Sequence, residues 1–251
     1  MPTLHFEIYR YQPEQSPNPF TERFTLTLDD IGQDQMLLSA LERLKEQDPT
    51  LTFRSSCKEG VCGSDGMNVN GRNRLSCITR LQEVINEANG ATEQHPIKIA
   101  PLPGLPVIRD LVVEMDGFFK HYQSVAPYLQ PAPKDLSHEI LQTPQQRAQL
   151  DGLYECILCA CCTTSCPSFW WNPDQFHGPA ALLAAQRFVL DSRDIQTKQR
   201  LQALDDATGT FRCRNIQNCT ANCPKGLNPS GAIQQLKQEM TELALTGKVE
   251  R

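Results

Sequence analysis

Two patterns of apolar and polar positions divide the chain. Within residues 1–100 the alternation is short. "LHFEIYR" (Leu4 to Arg10) and "RFTLTL" (Arg23 to Leu28) show the period of two expected of half-buried strands. Residues 34–47, "DQMLLSALERLKEQ", change period: Met36, Leu37, Ala40, Leu41 and Leu44 fall on one face of a helix, with Asp34 near its positive end. "GMNVNGRNRLSC" sets Asn70-Gly71 between two short strand candidates, which predicts a hairpin, and "IKIAPL" closes the half. Strands packed on one helix predict a small α+β fold.

"APLPGLPVIRD" (Ala100 to Asp110) then concentrates proline and glycine, the composition of a stiff linker or boundary. We place two domains on either side of it, 1–105 and 106–251. Beyond the linker the pattern turns helical. "GFFKHYQSVAPYL", "GPAALLAAQRFVLDS", "TKQRLQALDD" and "NPSGAIQQLKQEMTELAL" read as helices, the last capped by Asn228 with Pro229 in its first turn. Cysteine-rich loops lie between these helices, and one such loop occurs twice, as an internal pair.

Composition narrows the function. The net charge of −5, without a basic block, argues against a nucleic-acid binder. The longest apolar stretch, "AALLAAQRFVL", is broken by Gln186 and Arg187 and falls short of the roughly 18 residues that span a bilayer. A chain like this would serve a membrane from the side. "MPTLHFEIYRYQPEQ" has neither the basic nor the apolar region of a secretory signal, nor a transit peptide, so a reducing compartment, in particular a bacterial cytoplasm, is expected. There the eleven cysteines read as metal ligands rather than disulfides.

Their spacing names the metal. Cys57-x4-Cys62 opens the plant-type [2Fe–2S] signature C-x4-C-x2-C…C, with Cys77 as the last ligand. The third position holds Asp65, a harder donor with the same single charge as a thiolate. The alternative is a turn residue, with Ser64 or water ligating in its place. Gly60, Gly63 and Gly66 fit a loop that turns its amides inward.

"CILCACCTTSCP" is a full bacterial ferredoxin run: Cys156, Cys159, Cys162, then Cys166-Pro167. "CRNIQNCTANCP" repeats it as Cys213, Cys219 and Cys223-Pro224, with Ile216 where the second cysteine belongs. In a two-cluster ferredoxin the fourth cysteine of each run serves the other cluster. Cys156, Cys159, Cys162 and Cys223 then bind [4Fe–4S], and Cys166, Cys213 and Cys219 hold a cube lacking one iron, [3Fe–4S], because isoleucine supplies no ligand. Ten cysteines plus Asp65 fill the three sites and leave only Cys161, read as a small buried thiol. Zinc is the rival, but no histidine sits at ligand spacing beside these runs.

Three cluster types on one chain read as a wire. An all-ferric [3Fe–4S] cluster should accept an electron more readily than the cube, which makes it the exit. No G-x-G-x-x-G loop is present, so the electron donor is expected on another subunit. After Cys166, "CPSFWWNP" sets Trp170 and Trp171 side by side. Such rings belong at membrane or subunit interfaces, and the Trp171 N–H could donate to a quinone oxygen. Trp170 can equally pack against the cluster loop.

"FRSSCKEGVCGSDGMNVNG", "PLPGLPVIRDLVV", "LDGLYECILCACCTTSCPSFWWNPD", "GPAALLAAQRF" and "CPKGLNP" together resemble the iron–sulfur subunits of succinate dehydrogenase, respiratory complex II, over nearly the whole chain. The resemblance implies a β-grasp [2Fe–2S] domain followed by a helical, bacterial-ferredoxin-like domain. It implies a FAD flavoprotein partner that oxidises succinate to fumarate, and hydrophobic anchor subunits that usually carry haem b. Ubiquinone would be the acceptor, in a pocket bordered by Pro167, Ser168, Trp171 and Ile216. The subunit would lie peripherally on the cytoplasmic face of the bacterial inner membrane and be inactive alone. Arg214 departs from the histidine many members carry there, which puts a histidine-dependent proton route or haem-propionate contact in doubt.

Two other readings compete. A fumarate reductase subunit working with menaquinone would share the clusters, although "SFWW" favours the first reading. An iron–sulfur sensor or scaffold would need one labile cluster rather than three.

Overall fold

The computed structural model describes residues 3–27, 35–132 and 138–248. Alternation becomes strand where expected. β1 (Thr3–Arg10) buries Leu4, Phe6 and Ile8 and pairs antiparallel with β2 (Phe20–Thr27), from Thr3↔Thr27 to Arg10↔Phe20. The helical stretch is α1 (Leu37–Gln47), which buries Leu37, Ala40, Leu41 and Leu44. Asp34 lies outside the described residues. A helix start leaves amides without intrahelical partners. Here the Leu37 and Leu38 amides donate to the carbonyls of Thr79 (2.9 Å) and Ser76 (3.0 Å). The start of α1 therefore pins the segment that carries Cys77.

β3 (Gly66–Val69) and β4 (Arg72–Leu75) form the expected hairpin. Asn70 (φ 50°) and Gly71 (φ 84°) both adopt the left-handed backbone a two-residue type I′ turn requires. α2 (Leu81–Glu87) leads to β5 (Ile97–Ala100), parallel to β1 and antiparallel to β3. The sheet runs β2-β1-β5-β3-β4, and Phe6, Ile8, Leu41, Leu44, Met67, Val69 and Ile99 share its core.

The proline-rich stretch is more than a linker. It leads into β6 (Val107–Arg109) and β7 (Val112–Val113) and belongs to the first of two compact units, residues 1–115 with 157–165. The fully buried Asp110 ties it down, accepting from Arg10 Nε (3.1 Å) and from the amides of Tyr11 (2.9 Å) and Thr52 (2.8 Å). Arg10, also fully buried, donates further to Asp48, Thr50 and Glu22. Local composition cannot reveal this tie, because its partners stand far apart in sequence.

Residues 116–156 and 166–251 form the second unit. It contains α3 (Asp116–Ser124) and α4 (Pro144–Ala148), the latter closed by a Thr143/Gln146 capping box. α5 (Cys161–Thr164) falls in the returning segment of the first unit, and α6 (Pro167–Trp171) resumes the second. α7 (Gly178–Leu190) is apolar nearly all round, and packing against α3, α8 (Thr197–Ala203) and α10 (Pro229–Thr246) buries it. α9 (Asn218–Ala221) is a single turn. The Asn228 side chain caps α10 by accepting from the Gly231 amide (2.9 Å), with Pro229 at the first position, as expected. Among the described residues no helix is long and apolar enough to cross a membrane.

Arg10→Met would leave the Asp110 carboxylate buried with only backbone amides to meet it. Breaking a buried ion pair in this way costs about 3–5 kcal/mol. Urea unfolding of wild-type and variant chains should show that loss, and coincident curves would mean the amides suffice.

Candidate metal centre

Three cysteine loops carry one backbone signature. Lys58, Gly60 and Gly63 in the first, Leu158 and Ala160 in the second, and Asn215 and Gln217 in the third have φ between 55° and 71°. Left-handed residues set among right-handed ones turn successive amides into one concavity, an anion-binding nest used at many iron–sulfur sites. Only glycine adopts this conformation without cost. Leu158, Ala160 and Gln217 therefore hold strained backbone that surrounding structure must maintain. In the second and third loops the strained pair is followed by a single helical turn, α5 and α9, and then by Cys-Pro. Ile216 stands in its loop where Cys159 stands in the other.

In the first loop the amides of Glu59, Val61 and Cys62 point at Cys57 Sγ (3.5, 3.4 and 3.2 Å). The Ser64 hydroxyl lies 3.1 Å from Cys62 Sγ and, with backbone donors, draws that thiol down to about 7. Burial, and then the neighbouring Asp65, pushes the Cys77 thiol up to about 12. A metal bound there must displace its proton. Gly60 packs on Ile78, where a Cβ would sit 2.9 Å from Ile78 Cγ2, which brings the loop to Cys77.

Asp65 is almost fully buried. Its Oδ2 accepts from the Cys77 amide (2.6 Å) and the Ser76 hydroxyl (2.9 Å), while its buried Oδ1 has no hydrogen-bond partner. A carboxylate oxygen taken out of water without a partner is costly. Iron bound beside Cys57, Cys62 and Cys77 would meet it, and in that sense the residues fit a cluster. Ser76 escaped sequence reading; the only signal was its place between Leu75 and Cys77.

In the second unit, Cys166, Cys213 and Cys219 line one pocket of about 340 Å³, open mouth included. Ile216, Pro167 and Ser168 line it too; Trp171 does not. Burial, and then the neighbouring Cys166, raises the Cys219 thiol to about 11, and burial also raises Cys166. The Ser168 hydroxyl donates to the Arg212 carbonyl (3.2 Å). Trp170 and Trp171 are 45% and 66% exposed, so neither is packed away.

Cys156 and Cys223 pack on Leu153, Leu183, Leu227 and Ala232 in the second unit. Cys159 and Cys162 belong to the first. Cys161 is fully buried, and none of the eleven cysteines forms a disulfide. Among the described residues no three His, Cys, Asp or Glu converge as they would on one metal ion. A cluster is a cage, and its thiolates stand at the corners.

Residues 5–120 match the family model described as a 2Fe-2S iron-sulfur cluster binding domain, and residues 155–228 match a 4Fe-4S dicluster domain. The chain is 49% identical over 245 residues to the succinate dehydrogenase iron-sulfur subunit of Coxiella burnetii, covering 98% of this chain and 100% of that one. It is also 49% identical over 244 residues to the mitochondrial succinate dehydrogenase [ubiquinone] iron-sulfur subunit 1 of Oryza sativa subsp. japonica, covering 96% and 83%. In fold it resembles a chain of the Mycobacterium smegmatis Sdh1 complex in the apo form, with a TM-score of 0.84 at 21% identity over 98% of each chain. The architecture is the expected α+β one, a ferredoxin-type domain followed by a helical dicluster domain.

The orphaned oxygen of Asp65 generates a test. Asp65→Cys should keep the [2Fe–2S] EPR signal with an altered line shape, and Asp65→Ala should lose most of it. An unaltered signal in Asp65→Ala would mean that Ser64 or water ligates instead.

Proposed function

The chain belongs to the succinate dehydrogenase iron–sulfur subunits, and from that premise we propose that it conducts electrons from a FAD flavoprotein partner, which oxidises succinate, to ubiquinone at the membrane. When bound, iron–sulfur clusters supply one-electron carriers whose potentials follow cluster type, hydrogen bonding and exposure. Cys57, Cys62, Asp65 and Cys77 hold [2Fe–2S], and Cys156, Cys159, Cys162 and Cys223 hold [4Fe–4S]. Cys166, Cys213 and Cys219 hold [3Fe–4S].

One observation carries this reading: the pocket lined by Cys166, Cys213 and Cys219 has Ile216 where its sequence repeat has a thiol. An aliphatic side chain denies a fourth iron its ligand and keeps the site at three thiolates. Exposed Trp170, Trp171, Phe211 and Ile216 support a docking face in the second unit for hydrophobic anchor subunits, in which haem b would reside. Pro167, Ser168 and Ile216 line the quinone side, and the exposed Trp171 N–H is the donor we assign to a quinone oxygen. Because the Ser168 hydroxyl already donates to a carbonyl, it has no proton left for a quinone oxygen and can only accept, which the O–H of the reduced quinol could use. Arg214, also at the pocket, offers hydrogen-bond donors but no acceptor, where a histidine would offer both. The subunit then sits peripherally on the cytoplasmic face of the membrane.

Ile216→Cys should admit a fourth iron at the last site and lower its midpoint potential in redox-titrated EPR of the assembled complex. A persisting three-iron signal at the wild-type potential would contradict the role given to Ile216. The purified chain alone should show no succinate oxidation with an artificial electron acceptor, and turnover by it would contradict the subunit reading.

A further inference from the structure

Asn73 lies on β4, 4% exposed, and none of its hydrogen-bonding capacity goes to the sheet's own side chains except through Asn68. Its Oδ1 accepts from Asn68 Nδ2 (2.8 Å). Its Nδ2 donates both protons outward along the first unit, to the Cys161 carbonyl (3.2 Å) and to Thr164 Oγ1 (2.9 Å). The Thr164 hydroxyl passes its own proton to the Ala160 carbonyl (2.8 Å). At the other end, Asn68 Oδ1 accepts from the Gly71 amide (3.1 Å), so the series starts in the hairpin turn. Every member is satisfied, and a fully satisfied buried polar network fixes one geometry.

What it fixes is the arc 159–162. The carbonyls it holds, those of Ala160 and Cys161, lie between Cys159 and Cys162, and Ala160 is a strained residue at φ 62°. The loop of Asp65 supports the same arc from another side. A Cβ on Gly63 would sit 2.9 Å from Cys159 Cβ, and one on Gly66 would sit 3.1 Å from the Cys159 carbonyl oxygen. Glycine at 63 and 66 thus lets the arc approach, and Asn73 holds it there.

We propose that Asn73, steadied by Asn68 and acting through Thr164, is a positioning residue that sets the backbone presenting Cys159 and Cys162 to iron. This rests on the [4Fe–4S] ligand assignment proposed above. Outer-shell partners of metal ligands typically contribute 10–100-fold to metal retention. If the amide merely satisfied buried groups, its loss would weaken the whole first unit, the [2Fe–2S] site included. A positioning role predicts a selective defect.

The test uses the assembled complex and follows each cluster's EPR signal during exposure to EDTA in air. Asn73→Leu and Thr164→Val should each shorten the [4Fe–4S] lifetime about tenfold, leave the [2Fe–2S] lifetime unchanged, and alter the [4Fe–4S] line shape. Thr164→Ser, which keeps the hydroxyl, should restore the wild-type lifetime. If Asn73→Leu does not assemble, Thr164→Val and its serine rescue carry the test. Wild-type lifetimes in Thr164→Val, or parallel loss of both clusters, would overturn the proposal. Cys159→Ser separates the two readings. If it perturbs the [4Fe–4S] signal while Thr164→Val does not, the positioning role alone falls; if it leaves that signal untouched, the ligand assignment falls and the positioning role with it.

Discussion

Cysteines gathered into small loops can ionise together only against one another's charge, and backbone amides must answer that repulsion. The rest of the structure follows from this constraint. Amides face a concavity only where the chain alternates into left-handed residues, and three loops of this chain do so at Lys58, Gly60 and Gly63, at Leu158 and Ala160, and at Asn215 and Gln217. Several of these residues bear side chains that resist the conformation, so the loops cannot hold themselves. The sheet, the helix starts and the buried polar groups exist in part to hold them.

The first unit shows how that holding works. The amides that begin α1 reach the carbonyls of Ser76 and Thr79 on either side of the Cys77–Ile78 step. Asp65 accepts from Ser76 and Cys77 while turning its other oxygen to a place without a donor. A helix that completes the core and the loops that carry Asp65 and Cys77 are thereby joined by hydrogen bonds. In the second unit α7 is buried almost all round, and Pro179 near its start lines the pocket of Cys166, Cys213 and Cys219.

Much of this was legible in the sequence because the signals are local. The alternation of β1, the Asn70-Gly71 turn, the Asn228 cap and the C-x2-C-x2-C-x3-C-P spacing each occupy a few neighbouring residues. What escaped depends on partners far apart or on backbone that sequence does not display. Asp110 turned a presumed linker into part of the first unit by meeting Arg10 across the chain. Asn73 looked like one more polar strand residue until the Cys161 carbonyl and Thr164 stood before it. Leu158, Ala160 and Gln217 give no hint of φ above zero, since left-handed backbone is expected of glycine or asparagine. Trp171 was expected at the pocket and is instead exposed outside its lining.

The ligand set, ten thiolates and one carboxylate with an isoleucine at the last corner, is the central claim, and Mössbauer spectroscopy of the ⁵⁷Fe-enriched complex weighs it most directly. The account predicts about nine irons per chain, divided 2:4:3 among a two-iron, a cubane and a three-iron site. Two complete cubes, or zinc in place of iron at any of these thiols, would contradict it.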